Sequence, residues 1–201
     1  MSSNSGPLSP AGFEYPVHEL IAKRFSGRAF SSKPVDAATV GSLLEAARWA
    51  ASCSNEQPWS FIVTGQEQRS DYERLLGCLV EFNVEWAQHA PVLILSIARL
   101  NFASSGKPNR HALHDVGQAT ANLQLQATAL GLFAHPMAGF DLQKARREFQ
   151  IPESHEPVAV IAVGYRGDPA NLSEKLRQKE VAPRQRKAQR EFVFRTKWGQ
   201  P

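Results

Sequence analysis

Apolar side chains between residues 36 and 52 fall at Val40, Leu43, Leu44, Ala47 and Ala51, the spacing of one buried helical face, and Asp36 stands where an N-cap belongs. A second stripe, Val116, Ala119, Leu123, Ala127 and Leu130, predicts the longest helix over residues 112–130, with Gly131 placed to close it. Shorter helical rhythms cover residues 16–25 (Val17, Leu20, Ile21), the region of Tyr72, Leu75, Leu76 and Leu79, and a segment capped by Asp141 that carries Leu142, Ala145 and Phe149. A polar loop, residues 52–58, ends the first of these helices, because Pro58 cannot continue it.

Between the helices lie short apolar runs that read as strands: residues 59–64, 91–98, 133–137 and 157–165. The runs at 91–98 and 157–165 are apolar at nearly every position, so both faces of these strands must be covered. Helices alternating with such strands predict an α+β or α/β sandwich around a buried central sheet. The length of 201 residues suits one domain. Residues 1–15 read as a flexible N-terminus and residues 16–201 as a single domain. Beyond residue 165 the periodicity is weak, which predicts an arm that must pack against something else.

With 42% hydrophobic and 21% charged residues the chain has an ordinary globular composition. Its apolar runs fall far short of the roughly 20 residues that span a bilayer. The first dozen residues lack the basic and apolar regions of a secretory signal, so a cytoplasmic location without membrane association is expected. Cys53 and Cys78 form no CxxC pair, which argues against a disulfide framework or a zinc quartet. The net charge of +4 is uneven: residues 165–201 carry ten Lys or Arg against four Asp or Glu, while the remaining 164 carry 13 against 15. Such an arm can meet a nucleic-acid backbone, extend into solvent, or bring cations to a phosphorylated ligand or a partner subunit. The slightly acidic remainder makes a uniformly basic nucleic-acid module the poorer reading.

Motifs for a dinucleotide fold, a P-loop, a serine hydrolase elbow or a zincin are absent. His111, His114 and Asp115 lie close along one helix start, but no third ligand is identifiable elsewhere, so no metal site is expected. Two polar segments remain. Arg24, Ser26 and Arg28 alternate with apolar Phe25 and Phe30, a pattern that can direct two cations and a hydroxyl to one ligand, where a guanidinium fork matches phosphate oxygens; it also fits a solvated basic turn. Residues 51–59 place amide and hydroxyl side chains between a helix and a core strand, suited to a planar heterocycle or to a plain connection stiffened by Pro58.

Taken together, these segments resemble the FMN-dependent nitroreductase family. The likeness rests on Arg24-x-Ser26-x-Arg28-x-Phe30, Pro34-Val35, the helix of residues 43–50, the Asn-Glu-Gln-Pro-Trp-Ser-Phe-Ile-Val run of residues 55–63, Asp115-Val-Gly, Ala129-Leu-Gly-Leu132, Pro136-Met-Ala-Gly-Phe140 and Arg184-Gln-Arg186. Each is weak alone, and their order over nearly the whole chain makes the match specific. It implies an α+β sandwich with a central, mainly antiparallel sheet covered by helices. It further implies an intertwined homodimer, with FMN in two equivalent interface sites and the basic arm packing on the partner subunit.

By the same resemblance Arg24 and Ser26 hold the FMN phosphate, with Arg184 and Arg186 near it. Arg28 lies beside the pyrimidine edge, where a cation favours the anionic reduced flavin. Ala51, Ser52 and Cys53 line the isoalloxazine from the other subunit, shaped by Asn55 and Gln57. Asn83 hydrogen-bonds the ring, and the backbone of Pro136, Met137, Ala138 and Gly139 faces N5. Ala51 departs from a frequent proline, Cys53 from a frequent serine, Ala138 from a glutamate found in some members, and Phe25 from a position often polar.

The implied activity is that of a tightly FMN-bound NAD(P)H oxidoreductase reducing nitroaromatic, quinone or similar small-molecule acceptors by ping-pong hydride transfer, with no side-chain nucleophile and no metal. Alternatives on the same scaffold are reductive dehalogenation, enone reduction and flavin breakdown, for which residues 82–86 and 101–110 are the candidate lids. Outside that chemistry stand a flavin carrier without turnover and a nucleic-acid-binding protein using the basic tail.

Overall fold

The computed structural model describes residues 13–200, so most of the N-terminal stretch expected to be flexible lies outside the described residues. Four strands, β1 (Trp59–Gly65), β2 (Val92–Arg99), β3 (Leu132–Met137) and β4 (His155–Tyr165), form one antiparallel sheet in the order β1-β2-β4-β3. The register sets Ile62 opposite Leu95, Leu95 opposite Val160 and Met137 opposite Val160, so one row of apolar side chains crosses all four strands.

Seven α-helices occur among the described residues: α1 (Glu19–Lys23), α2 (Ala37–Arg48), α3 (Arg69–Leu76), α4 (Glu81–Ala87), α5 (Ala112–Ala129), α6 (Leu142–Glu148) and α7 (Glu174–Val181). They cover both faces of the sheet. On β2, Leu93, Leu95 and Ile97 pack with Tyr72, Leu75, Trp86, Ala145 and Leu176, whereas Val92 and Ile94 pack with Leu43, Ala47, Ala119 and Leu123. Period-two alternation along a strand sends neighbouring side chains to opposite faces, so a strand covered on both sides must be apolar throughout. The α+β sandwich with an antiparallel central sheet is therefore the fold observed.

Local chemistry sets the helix ends. Asp36 Oδ1 accepts the Thr39 amide at 2.6 Å and Asp141 Oδ1 accepts the Lys144 amide at 2.8 Å, each satisfying an N-terminal donor that the helix leaves open. Gly131 turns the chain into β3 with φ +75°. Two helices fall well short of the sequence reading. The helix read over 36–52 stops at Arg48, and the one read over 16–25 is only Glu19–Lys23. The helix read around Tyr72–Leu79 breaks because Val80 donates to Gly139 O at 3.1 Å and Leu79 bridges to Phe140, which turns the backbone aside before α4 begins.

The arm beyond residue 165 also holds a surprise: α7 lies against its own sheet, with Leu176 only 1% exposed in the same apolar cluster as Trp86. Full burial of a leucine side chain contributes about 2 kcal/mol. Further along, Phe192 and Trp198 are exposed. Among the described residues no helix is long and apolar enough to cross a membrane.

Candidate active site

At the C-terminal end of α1 the chain runs extended past the β3 edge of the sheet, and here the predicted cations converge. Arg24 Nη1 donates to Ser26 Oγ at 3.0 Å. Arg184 approaches from the segment after α7, its Nη1 and Nη2 donating to the carbonyls of Arg24 and Ala22, each at 2.6 Å. Burial, with the nearby charges of Arg184 and Arg186 adding to it, depresses Arg24 below the usual guanidinium range, and burial with Arg186 does the same to Arg184. Among the described residues neither Arg24 nor Arg186 pairs with a carboxylate. Arg24, Arg184 and Arg186 line one cavity of about 600 Å³ together with Phe13, Tyr15 and Phe192. Glu14 is the carboxylate in the same lining, and the three guanidinium groups leave the cavity an excess of positive charge that suits an anion.

The next residues are held tightly. Gly27 sits where an added Cβ would lie 2.3 Å from the Phe133 ring, so only glycine lets the backbone pass. Its carbonyl meets His135 Nδ1 at 3.1 Å, and the His135 ring lies 4.5 Å from that of Trp86. Burial, with Arg28 and Arg24 contributing, lowers His135 to about 4 against the bond to Gly27, so the ring is neutral and donates through Nδ1. The Arg28 guanidinium stands over Trp86 at 5.7 Å, with Nε buried and unpartnered. Arg28 faces a second cavity of about 670 Å³, shared with Gln66, Gln88, His89 and Arg166, and so is turned away from the Arg24 cluster. The Arg28 and Ala29 amides donate to the carboxylate of buried Glu180 on α7, Arg28 at 2.9 Å and Ala29 at 3.4 Å.

At the end of β3, residues 136–139 lie along this edge. Asn83 on α4 is buried, and its Nδ2 donates to Gly139 O at 2.9 Å. A Cβ at Gly139 would come within 2.7 Å of that nitrogen, so glycine and asparagine fit as a pair. Met137 is buried while Ala138 is exposed.

The loop of residues 51–57 lies elsewhere. It leads into β1, and Ser54, Asn55 and Gln57 take φ values of 53°, 54° and 49°, in the left-handed region that L-residues avoid. Such strain persists only where surroundings enforce it. Here Asp115 Oδ2 accepts the Cys53 amide at 3.0 Å, Ser52 Oγ accepts the Gln57 amide at 3.0 Å, and Glu56 Oε1 accepts from Arg99 Nη2 and the Ala103 amide, each at 2.5 Å. Ala51, Asn55 and Gln57 are exposed, Ser52 and Cys53 half-buried. Asp115 therefore anchors this loop, and His114 Nδ1 meets its other oxygen at 3.3 Å. Among the described residues no group of three metal-ligating side chains converges.

Strand order separates the two halves. Residues 51–57 stand at the β1 edge, and Arg24, Ser26 and residues 136–139 at the β3 edge, three strand spacings or roughly 14 Å apart. The structure thus gathers Arg24, Ser26, Arg184 and Arg186 in one place, pairs Asn83 with Gly139, and leaves Ala51, Ser52, Cys53, Asn55 and Gln57 facing outward on another. His135 and Glu180 escaped the sequence reading. His135 was visible only as the polar position in an apolar strand, and Glu180 lay in a segment with two apolar residues, Leu176 and Val181, too few to mark a buried helix.

Comparison with known proteins follows the same lines. The sequence model of the Nitroreductase family matches residues 21–165. An uncharacterized 15.4 kDa protein in the ask 5′ region of Mycolicibacterium smegmatis is 34% identical over 138 residues, 69% of this chain and 92% of its own. A Stenotrophomonas maltophilia protein named "Putative NADH dehydrogenase/NAD(P)H nitroreductase" is 30% identical over 179 residues, 80% of this chain and 89% of its own. A crystal structure described as an oxidoreductase containing FMN superposes with a TM-score of 0.89 at 30% identity, covering 100% of both chains.

Proposed function

The chain belongs to the nitroreductase family, and from that premise we propose that it is an FMN-dependent NAD(P)H oxidoreductase. It acts as a homodimer on flat, electron-poor small molecules such as nitroaromatics or quinones. The observation that carries this reading is the cavity at the β3 edge, where Arg24, Arg184 and Arg186 meet beside Ser26. The two negative charges of a flavin phosphate suit the excess positive charge of that lining, and a guanidinium fork matches its oxygens. A relative named for NAD(P)H nitroreductase and a solved relative containing FMN support the same donor and cofactor.

The outward-facing loop of residues 51–57 supports a shared site. One copy of the chain brings the phosphate cluster and residues 136–139, and a second copy brings the strained loop to the flat face of the ring. FMN, when bound, supplies a two-electron carrier that takes hydride from a nicotinamide and reduces a second substrate. The protein's part is placement: Arg24 and Ser26 hold the phosphate, and the backbone of Pro136 to Gly139 flanks the ring, while Arg28, expected beside the pyrimidine edge, faces the second cavity. Donor and acceptor occupy the same open face in turn, which gives ping-pong kinetics, with protons drawn from solvent.

Purified protein is expected to show a flavin spectrum that bleaches when NADH or NADPH is added without oxygen. A colourless protein that takes up no added FMN would overturn the flavin reading. A yellow protein that neither nucleotide bleaches would overturn the reductase and leave a flavin carrier.

A further inference from the structure

Residues 22–29 carry the proposed phosphate ligands, yet they leave helix α1 after one turn and form no regular structure until Phe30 bridges to Arg166. Backbone polar groups in such a stretch need partners from elsewhere. Two side chains of the C-terminal segment supply them with matched polarity. At one end, the Arg184 guanidinium donates to the carbonyls of Ala22 and Arg24, 2.6 Å each, satisfying acceptors that α1 leaves open at its C-terminus. At the other, the Glu180 carboxylate accepts the Arg28 amide at 2.9 and 3.1 Å and the Ala29 amide at 3.4 Å. Between them His135 binds Gly27 O. Leu176, one turn before Glu180 and 1% exposed, fixes α7 against the core, so the position of both clamping groups is tied to the body of the protein.

On the reading that the Arg24 cavity receives the flavin phosphate, we propose that Glu180 and Arg184 are positioning residues for that phosphate. Glu180 acts through the backbone of Arg28 and Ala29, and Arg184 through that of Ala22 and Arg24. Arg184 thereby differs from a simple phosphate cation. Its fork makes two diverging bonds that a lysine ammonium, a point charge on a flexible stem, does not reproduce. Glu180 likewise offers two acceptor oxygens to amides, of which a glutamine retains one.

Two flavins separate positioning from general packing, because riboflavin lacks only the phosphate of FMN. The full chain, stripped of flavin, is titrated with each while flavin fluorescence is followed, and its thermal midpoint is recorded. Glu180→Gln and Arg184→Lys are each expected to weaken FMN by about tenfold or more, the loss of one or two hydrogen bonds involving a charged group. Riboflavin affinity should stay near the wild-type value, and the flavin-free midpoint shows whether each variant is folded. Parallel weakening of both flavins would overturn the proposal in favour of a merely structural role, and so would FMN affinity unchanged in both variants. Wild-type FMN affinity in Arg184→Lys alone would return Arg184 to the role of simple cation. Should Glu180→Gln fail to fold, Arg184→Lys decides alone. A wild-type chain with no preference for FMN over riboflavin would overturn the phosphate reading itself, a result distinct from wild-type preference kept by both variants.

Discussion

Acidification is expected to charge His135 and thereby loosen the β3 edge. The imidazole lies against Trp86, gives its Nδ1 proton to Gly27 O at 3.1 Å, and is held to about 4 from an ordinary 6.5, chiefly by burial and then by the charges of Arg28 and Arg24. Because the folded value lies below the unfolded one, the unfolded chain takes up this proton first as pH falls. The contribution is therefore complete above pH 6.5 and is lost progressively toward about 4. A difference of two to three pH units at about 1.4 kcal/mol each gives a total near 3 kcal/mol, of which about 2 kcal/mol is gone by pH 5. Urea unfolding followed by circular dichroism at pH 7 and pH 5 measures this loss. His135→Asn, which keeps an amide donor for Gly27 O, should be less stable than wild type at pH 7 and should lack about 2 kcal/mol of the wild-type pH dependence. Equal pH dependence in the two proteins, or an imidazole titrating near 6.5 by NMR in the folded wild type, would refute the reasoning.

Arg24→Ala should weaken FMN at least about tenfold in equilibrium dialysis, since it removes a charge-assisted contact; unchanged affinity would remove the phosphate from this cavity. Gly27→Ala places a methyl 2.3 Å from the Phe133 ring and should cost about 1–3 kcal/mol, read as a lowered thermal midpoint. A midpoint equal to wild type would mean that the segment has room to move away from β3. Leu176→Ala should cost about 2–4 kcal/mol in urea unfolding and weaken flavin binding as well, because Glu180 follows one turn later on the same helix. Loss of stability with full FMN affinity would separate α7 from the site.

The elements that the sequence determined unaided are those whose signal is local. The stripe Val116 to Leu130 is a helix because its period brings each residue to one face, and Asp36 and Asp141 cap as oxygen acceptors next to open amides, whatever lies beyond them. The apolar runs of β2 and β4 announced a sheet covered on both sides, since an all-apolar strand leaves no face for water. Clustering of Arg24, Ser26, Arg184 and Arg186 was legible as a resemblance in motif order, although residues 160 positions apart meet only in space.

Tertiary structure alone decided the rest. Whether the loop of residues 51–57 shares an edge with Arg24 depends on the order β1-β2-β4-β3, which no periodicity encodes. Arg28 belongs to the same alternating pattern as Arg24 yet faces another cavity, because the backbone between them is pulled against Phe133 and Glu180. The break between α3 and α4 comes from pairing with residues 139–140, and α7 is a buried helix on the strength of Leu176 and a carboxylate. In each case the deciding contact joins residues far apart in the chain, and its free energy exists only once both partners have been brought to the same edge of the sheet.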